Sequence, residues 1–159
     1  MARPRLIILI GNIGSGKTTT VKEYAKDGYN VICRDDFRTM LGAGKYKFDA
    51  KTERPIHSAA RALLESLMIE DLDIIVDETN VSKRGRQQII KTAKAFGYSI
   101  TGIVMPRLSR AQSIENRKKD TLRENTAEVW GQVWDRFNRA YEEPTLDEGF
   151  DSLIWRDEP

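Results

Sequence analysis

The sequence has one cysteine, Cys33, and one histidine, His57, in 159 residues. A lone cysteine excludes an internal disulfide, and a lone histidine with no further cysteines excludes a histidine-containing zinc cluster. No serine stands in a nucleophile-elbow setting. Long hydrophobic runs are missing as well: Leu6–Ile10, "LIILI", is too short for a signal-peptide core or a membrane span. Charge of one sign is scarce, because 26 basic and 24 acidic side chains leave a net charge of +2. That balance announces neither a broadly basic nucleic-acid binder nor an acidic tail, so any basic site must be local. There is no internal repeat, low-complexity tract or interdomain linker. The expectation is one soluble intracellular domain over residues 1–159, a size that buries roughly 70% of the surface its unfolded chain exposes.

What is present is alternation. Leu6–Ile10 lies between Pro4 and Gly11 and reads as a strand buried on both faces. Tyr29–Cys33, Asp73–Val76 and Ser99–Met105 are further short apolar runs, each separated from the next by a helical pattern. Helices are expected over Lys17–Lys26, over Thr52–Glu70 with its stripe of Ile56, Ala60, Leu63, Leu64, Leu67 and Met68, and over Lys83–Gly97. Val129, Trp130, Val133, Trp134 and Phe137 repeat the helical spacing, which suits core packing more than a stacking platform for bases. Residues 41–52 show no period and read as a loop. Strands alternating with helices specify an α/β fold with right-handed crossovers.

The octapeptide Gly11-Asn12-Ile13-Gly14-Ser15-Gly16-Lys17-Thr18 fits G-x-x-x-x-G-K-[ST] between a predicted strand and a predicted helix. Its glycines let backbone N–H groups turn onto phosphate oxygens, and the following helix adds the partial positive charge of its N-terminus. Lys17 reaches the β- and γ-phosphates, Thr18 offers a hydroxyl to Mg²⁺, and Thr19 completes the nucleotide-binding set. The alternative is a glycine-rich turn with an incidental lysine. ATP or another nucleoside triphosphate with Mg²⁺ is the expected ligand, and ATPase, GTPase and kinase readings all stay open here.

Three further segments bear on that choice. "CRDDFR" follows the second predicted strand, so Asp35 and Asp36 fall near the sheet edge where ligands bind. On a helix Asp35 and Arg38 share a face, a carboxylate to take a proton from an alcohol and a guanidinium to grip a substrate phosphate. An ordinary surface ion pair has the same spacing, and Asp36 is an equal candidate for the base. "DIIVDETN" ends a strand with an acid in the manner of a Walker B strand, which makes Asp77 a ligand of magnesium or of its water shell and offers Thr79 and Asn80 as hydrogen-bonding groups for ligand or neighbouring loops; a strand-end aspartate capping the next helix is the alternative. The charged segment 116–126 carries Arg117, Lys118, Lys119 and Arg123 and reads either as a lid over the triphosphate or as a solvated face.

With these residues in hand, the chain resembles the kinase domain of the 5′-hydroxyl polynucleotide kinase family, the phage type in particular. The family places a phosphate loop of this form first, then an Arg-Asp-Asp-aromatic segment with an arginine beyond it, here Arg34 to Arg38, then Asp-x-Thr-Asn, here Asp77 to Asn80, and an arginine-bearing lid. A closing segment like "EEPTLDEGFD", here Glu142 to Asp151, is a structural signature. The resemblance implies a P-loop kinase fold, a central parallel sheet with helices on both faces. It implies Asp35 as general base on the 5′-hydroxyl, Arg38 on the neighbouring substrate phosphate, Asp36 in support, Asp77 organising the phosphates, and Asp77, Thr79 and Asn80 near the substrate. For the lid it implies an arginine at the transition state. Arg123 is first by its distance from the next helix, then Arg117, then Lys119, because the Val-Pro pair that commonly follows the family's lid arginine is absent from this sequence. No phosphatase nucleophile motif accompanies these elements, so a stand-alone kinase module is expected, cytoplasmic and in a bacterial host if phage-encoded.

The leading expectation is phosphorylation of a 5′-hydroxyl end of DNA or RNA. A kinase of a nucleoside, a modified DNA base or a small-metabolite hydroxyl is the alternative within enzymes. A nucleotide-dependent binding module or slow ATPase is the alternative from another class, and Asp35 with Arg38 argues against it, because a switch needs no base for a bound alcohol.

Overall fold

The computed structural model describes residues 2–158; residues 1 and 159, which the expected domain included, lie outside the described residues. Strand β1 (Arg5–Ile10) is followed by α1 (Lys17–Lys26), β2 (Asn30–Ile32), α2 (Arg34–Leu41), α3 (Ala50–Ile69), β3 (Ile74–Val76), α4 (Lys83–Ala95) and β4 (Ser99–Val104). Helices α5 (Arg110–Lys118) and α6 (Ala127–Ala140) flank a 3₁₀ turn at Thr121–Arg123, and a second 3₁₀ turn at Leu146–Glu148 leads into β5 (Ser152–Trp155). The five strands form one parallel sheet in the order β2-β3-β1-β4-β5. The expected α/β fold with a central parallel sheet is the one observed.

β1 lies in the middle because it can be buried on both sides. Leu6, Ile8 and Ile10 face Ala60, Leu64 and Met68 of α3 and Ile90 and Ala93 of α4. Ile7 and Leu9 face the other way and join Ile75, Ile103 and Met105, with Val21 and Tyr24 of α1 packed against them. This is period-two alternation in a strand without a polar face. Helices thus cover both faces. The register of β1 against β4 runs from Arg5↔Ser99 to Ile10↔Val104, so both strands finish at the same edge.

Several boundaries differ from the sequence reading for local reasons. α3 starts at Ala50, ahead of the expected Thr52, because Asp49 accepts a hydrogen bond from Lys51 N (3.0 Å) and caps it. Asp73 stands outside β3 because its carboxylate is engaged by Arg5 N (2.7 Å) and the Arg5 guanidinium. β5 has no counterpart in the sequence reading: its apolar run, Leu153–Trp155, is only three residues long and mostly exposed. Its place is set from outside. Gly102 of β4 lets β5 close in, since a Cβ there would stand 2.7 Å from Leu153 Cδ2 and 2.9 Å from Phe150 Cε1. No described helix is long and apolar enough to cross a membrane.

The segment Glu142–Asp151 is a brace. Arg86 and Glu148 form a bidentate pair with both distances 2.8 Å, and both side chains are almost wholly buried. The Arg86 Nη1 also donates to the carbonyls of Asn80 and Val81, each at 3.0 Å. Glu142 accepts from Lys83 N (2.8 Å), and Asp151 accepts from Ile100 N (2.8 Å). The C-terminal segment therefore holds the loop after β3 in place. Removing one partner of such a pair strands the other charge in the interior, so Glu148→Ala is expected to lower unfolding free energy by about 3–5 kcal/mol. Urea denaturation measures this, and an Arg86→Met/Glu148→Leu double variant is expected to recover much of the loss.

Candidate functional site

The strands deliver their C-terminal ends to one edge, and four loops meet there. β1 runs into the phosphate loop, Gly11–Thr18. Gly14 and Gly16 take φ of 67° and 96°, the left-handed region. A Cβ on Gly14 would fall 2.2 Å from the Ser113 carbonyl oxygen, so the loop packs directly on α5. Asn116 adds a bond from its amide to Gly14 O (3.0 Å), and Asn12 donates to Trp134 O (3.1 Å). No side chain caps the N-terminus of α1, so its first N–H groups point into the loop as donors for an anion. Lys17 Nζ donates to Gly11 O (2.9 Å) and Asn12 O (2.7 Å), folded back over the loop it serves. Burial pulls the Lys17 pKa down to about 8, with Asp77 opposing the shift and Arg117 adding to it.

The loop is tied to the end of β3. Gly11 N donates to Thr79 O (2.9 Å), and the Asn80 amide donates to Leu9 O (2.8 Å) and Glu78 O (3.4 Å). Asn80, expected to meet substrate, spends its donors on main chain and has a φ of 45°, so the structure gives it the work of joining β3 to β1. Thr79 takes part through its carbonyl. Asp77 is different. Its carboxylate enters no ion pair or side-chain hydrogen bond among the described residues, and burial raises its pKa while Lys17 lowers it. The Thr18 and Thr19 side chains are exposed on the first turn of α1. A hydroxyl and one uncommitted carboxylate beside a phosphate cradle match the oxygen chemistry of Mg²⁺, which keeps several waters and is bound through one or two carboxylates plus substrate phosphates. No cluster of three His, Cys, Asp or Glu able to hold a metal occurs among the described residues.

β2 runs into α2, which carries the acid pair. The expected helical spacing holds: Arg38 Nη1 lies 2.6 Å from Asp35 Oδ1. Arg38 is also gripped by Glu53 of α3, Nε to Oε1 at 2.8 Å and Nη2 to Oε2 at 2.7 Å. These carboxylates hold the Arg38 pKa above its ordinary value, Glu53 foremost, and Arg38 holds Glu53 below its own. Of the five guanidinium N–H groups, the two unused ones sit on the Nη atoms. Asp35 Oδ2 faces Arg123 Nη1 of the 3₁₀ turn at 3.2 Å, while the more exposed Asp36 is 3.9 Å from Arg123 Nη2. Asp35 thus stands between two arginines, fixed by one and covered by the other.

The basic residues of the charged segment separate by position. Arg117, at the end of α5, lies 4.3 Å over the Trp130 ring and bonds Asp120 (3.2 Å), while its buried Nε has no partner. Burial lowers its pKa, and Arg123 lowers it further. It stands on the phosphate-loop side, Arg123 on the acid side. Lys119 is exposed on the cap of α5 and joins neither group. Trp130 is core, as its spacing indicated, and it also serves as the floor under Arg117.

Four residues here escaped the sequence reading. Glu53 fixes Arg38. Glu78 accepts from Arg34 N (2.8 Å) and Arg34 Nε (2.9 Å), fastening the start of α2 to the end of β3. Asn116 braces Gly14. Tyr46, in the loop between α2 and α3, has its pKa raised by burial and by Asp35, and it also feels Arg38, Arg117 and Arg123. Of these, Glu78 sat inside "DIIVDETN" and Asn116 opened the charged segment 116–126. His57 touches Arg34 (2.6 Å from Nη1 to Nε2) without reaching the acids of α2. Burial pushes the Cys33 thiol up to about 12, the mark of an inert thiol.

Residues 6–144 match the family described as an AAA domain. No curated protein sequence matches the chain. Among solved structures, one in the Pnkp1/Rnl/Hen1 RNA repair complex is similar with a TM-score of 0.71 at 23% identity, covering 88% of this chain and 46% of that one. A gluconokinase from Sinorhizobium meliloti 1021 gives 0.57 at 17% identity, over 98% and 83% of the two chains. Chaetomium thermophilum Kti12 in complex with ADP-AlF3 gives 0.61 at 20% identity, over 96% and 88%. The chain spans under half the length of the repair-complex chain. These likenesses show the fold, that of the P-loop kinases.

The lowered Lys17 pKa has a measurable sign. Between about 8 and the ordinary lysine value the unfolded chain holds this proton and the folded chain does not, so the Lys17 contribution to stability rises with pH across that window. Triphosphate oxygens restore the charge, so nucleotide binding at about pH 9 is expected to take up a proton. Calorimetry in buffers of different ionisation enthalpy reads this uptake, and Lys17→Met is expected to remove it.

Proposed function

The chain belongs to the AAA domain family, and from that premise we propose that it is an ATP-dependent kinase transferring the γ-phosphate to a 5′-hydroxyl end of DNA or RNA. The observation that carries this reading is the Asp35 carboxylate, held by Arg38 at 2.6 Å and faced by Arg123 at 3.2 Å on the edge that bears the phosphate loop. A nucleotide switch or slow ATPase has no use for a carboxylate locked in that way. A kinase of alcohols does.

In this reading Asp35 accepts the proton of the 5′-hydroxyl as its oxygen attacks the γ-phosphorus. The new O–P bond forms, the bond from the γ-phosphorus to the β–γ bridging oxygen breaks, and ADP departs with that electron pair. Lys17 and the N–H groups at the start of α1 hold the β- and γ-oxygens. Arg117 on the phosphate-loop side and Arg123 on the acid side balance the charge that spreads over the transferring group. Thr18 and Asp77 would hold Mg²⁺, which supplies further charge neutralisation at the phosphates. Arg38 offers its two remaining N–H groups to the phosphate that follows the first nucleotide, and Glu53 keeps the guanidinium oriented. The similarity to a chain of an RNA repair complex supports a polynucleotide acceptor.

The test offers three acceptors with γ-labelled ATP and Mg²⁺: a 5′-hydroxyl oligonucleotide, a nucleoside 3′-monophosphate and a free nucleoside. The first two are expected to be labelled strongly and the third weakly, with Arg38→Ala narrowing the gap. Equal labelling of the free nucleoside would replace the end-kinase reading with a small-molecule kinase.

Substitutions sort the roles. Asp35→Asn is expected to reduce transfer by roughly 10²–10⁴ while ATP binding persists, with a smaller loss for Asp36→Asn. Arg123→Ala is expected to cost on the order of 10³ in rate. Single-turnover kinetics with the oligonucleotide measures both.

A further inference from the structure

The loop between α2 and α3 combines features that the phosphoryl-transfer chemistry leaves unused. Phe48 is 64% exposed, as is Met40 just before the loop. The Phe48 ring centroid lies 5.8 Å from Arg38 Cζ, and the same guanidinium touches Asp35 at 2.6 Å. Asp35, Arg38 and Phe48 therefore follow one another across the surface. That order corresponds to a reacting hydroxyl, the first phosphate after it, and the next base.

Charge runs the same way. Lys45, Lys47, Lys51 and Arg54 are exposed on this loop and the first turns of α3. The nearby carboxylates are already engaged, Asp49 in capping α3 (3.0 Å to Lys51 N) and Glu53 on Arg38, with Lys47 3.9 Å from Asp49. In a chain whose total charge is only +2, this is the local excess of positive charge that a nucleic-acid strand needs. An aromatic ring set among such cations is how single strands are held, by stacking on the ring and phosphate contacts to the cations.

The loop is also built to keep its shape. Gly42 N donates to Arg38 O (3.1 Å), Ala43 N to Met40 O (3.1 Å), Gly44 N to Thr39 O (2.9 Å) and Lys45 N to Gly42 O (3.2 Å). Ala43 takes a φ of 54°, costly for a residue with a Cβ, and Gly44 takes 92°. A Cβ at position 42 would lie 1.9 Å from the Lys45 carbonyl oxygen. These bonds fix the first half of the loop, and Phe48 follows it against the Arg38 guanidinium.

We propose that the loop Gly42–Asp49 is the docking platform for a single-stranded acceptor, on which Phe48 stacks the base after the first phosphate and Lys45 and Lys47 hold the phosphates beyond. This rests on the polynucleotide reading above. Phe48→Ala is expected to raise the oligonucleotide KM by 5- to 100-fold more than the KM for a nucleoside 3′-monophosphate, which ends before the ring. Phe48→Trp is expected to restore the oligonucleotide KM. Lys45→Ala/Lys47→Ala is expected to reduce the slope of log KM against log salt by up to about 2. If the wild-type protein phosphorylates oligonucleotides while these variants keep its KM ratio and salt slope, the platform is overturned and the end-kinase reading stands. If it phosphorylates no oligonucleotide, both fall.

Discussion

Parallel hydrogen bonding between β1 and its two neighbours is the constraint from which the site follows. Parallel strands all finish at one edge, so pairing β1 with β3 and β4 brings Gly11 and Met105 level with each other and Asp77 to the same edge, opposite Leu9. A phosphate loop cannot hold its own shape: its glycines permit the turn but do not enforce it. Enforcement comes from the Thr79 carbonyl on Gly11 N, the Asn80 amide on Leu9 O and the Ser113 backbone against Gly14. The glycine-rich sequence is a permission that neighbouring elements turn into geometry.

Electrostatics at that edge works by rationing. Lys17, Arg38, Arg117 and Arg123 stand opposite Asp35, Asp77 and Glu53, and each pairing leaves something over. Arg38 takes two carboxylates and retains two N–H groups, while Arg117 rests on an indole with one buried nitrogen unpartnered. Among the described residues, Asp77 has no cation in contact and Lys17 bonds only carbonyls. The protein therefore contains cationic groups whose most favourable partner is an anion from outside.

Much of this was legible in the sequence because it is local. The octapeptide, the Asp35–Arg38 spacing and the acid after "DIIV" each lie within a few residues, and the strands around them carry unbroken apolar runs. Glu53, Asn116 and Glu78 were not legible as site residues, because their meaning comes from partners 15, 102 and 44 positions away, and Glu148, in a segment already read as structural, has a partner 62 positions away that the sequence did not reveal. Nothing distinguishes a charged residue on a helix that meets solvent from one that holds a partly buried arginine until tertiary packing decides. β5 failed for the opposite reason: its residues carry little pattern, and Gly102 and Phe150 create its berth.

The central position of β1 has a consequence for how the protein is made. β1 leaves the ribosome ahead of the other four strands of its sheet, and its partners lie far downstream, Ile74 for β3 and Ser99 for β4. At synthesis rates of about 5–20 residues per second, its β4 partner follows some 5–20 s later. Until β3 emerges "LIILI" is an apolar strand with both edges bare, and until β4 follows one edge stays open, the kind of segment that pairs with another copy of itself. The strand that anchors the finished molecule is thus an exposed apolar segment of the nascent chain until its partners arrive.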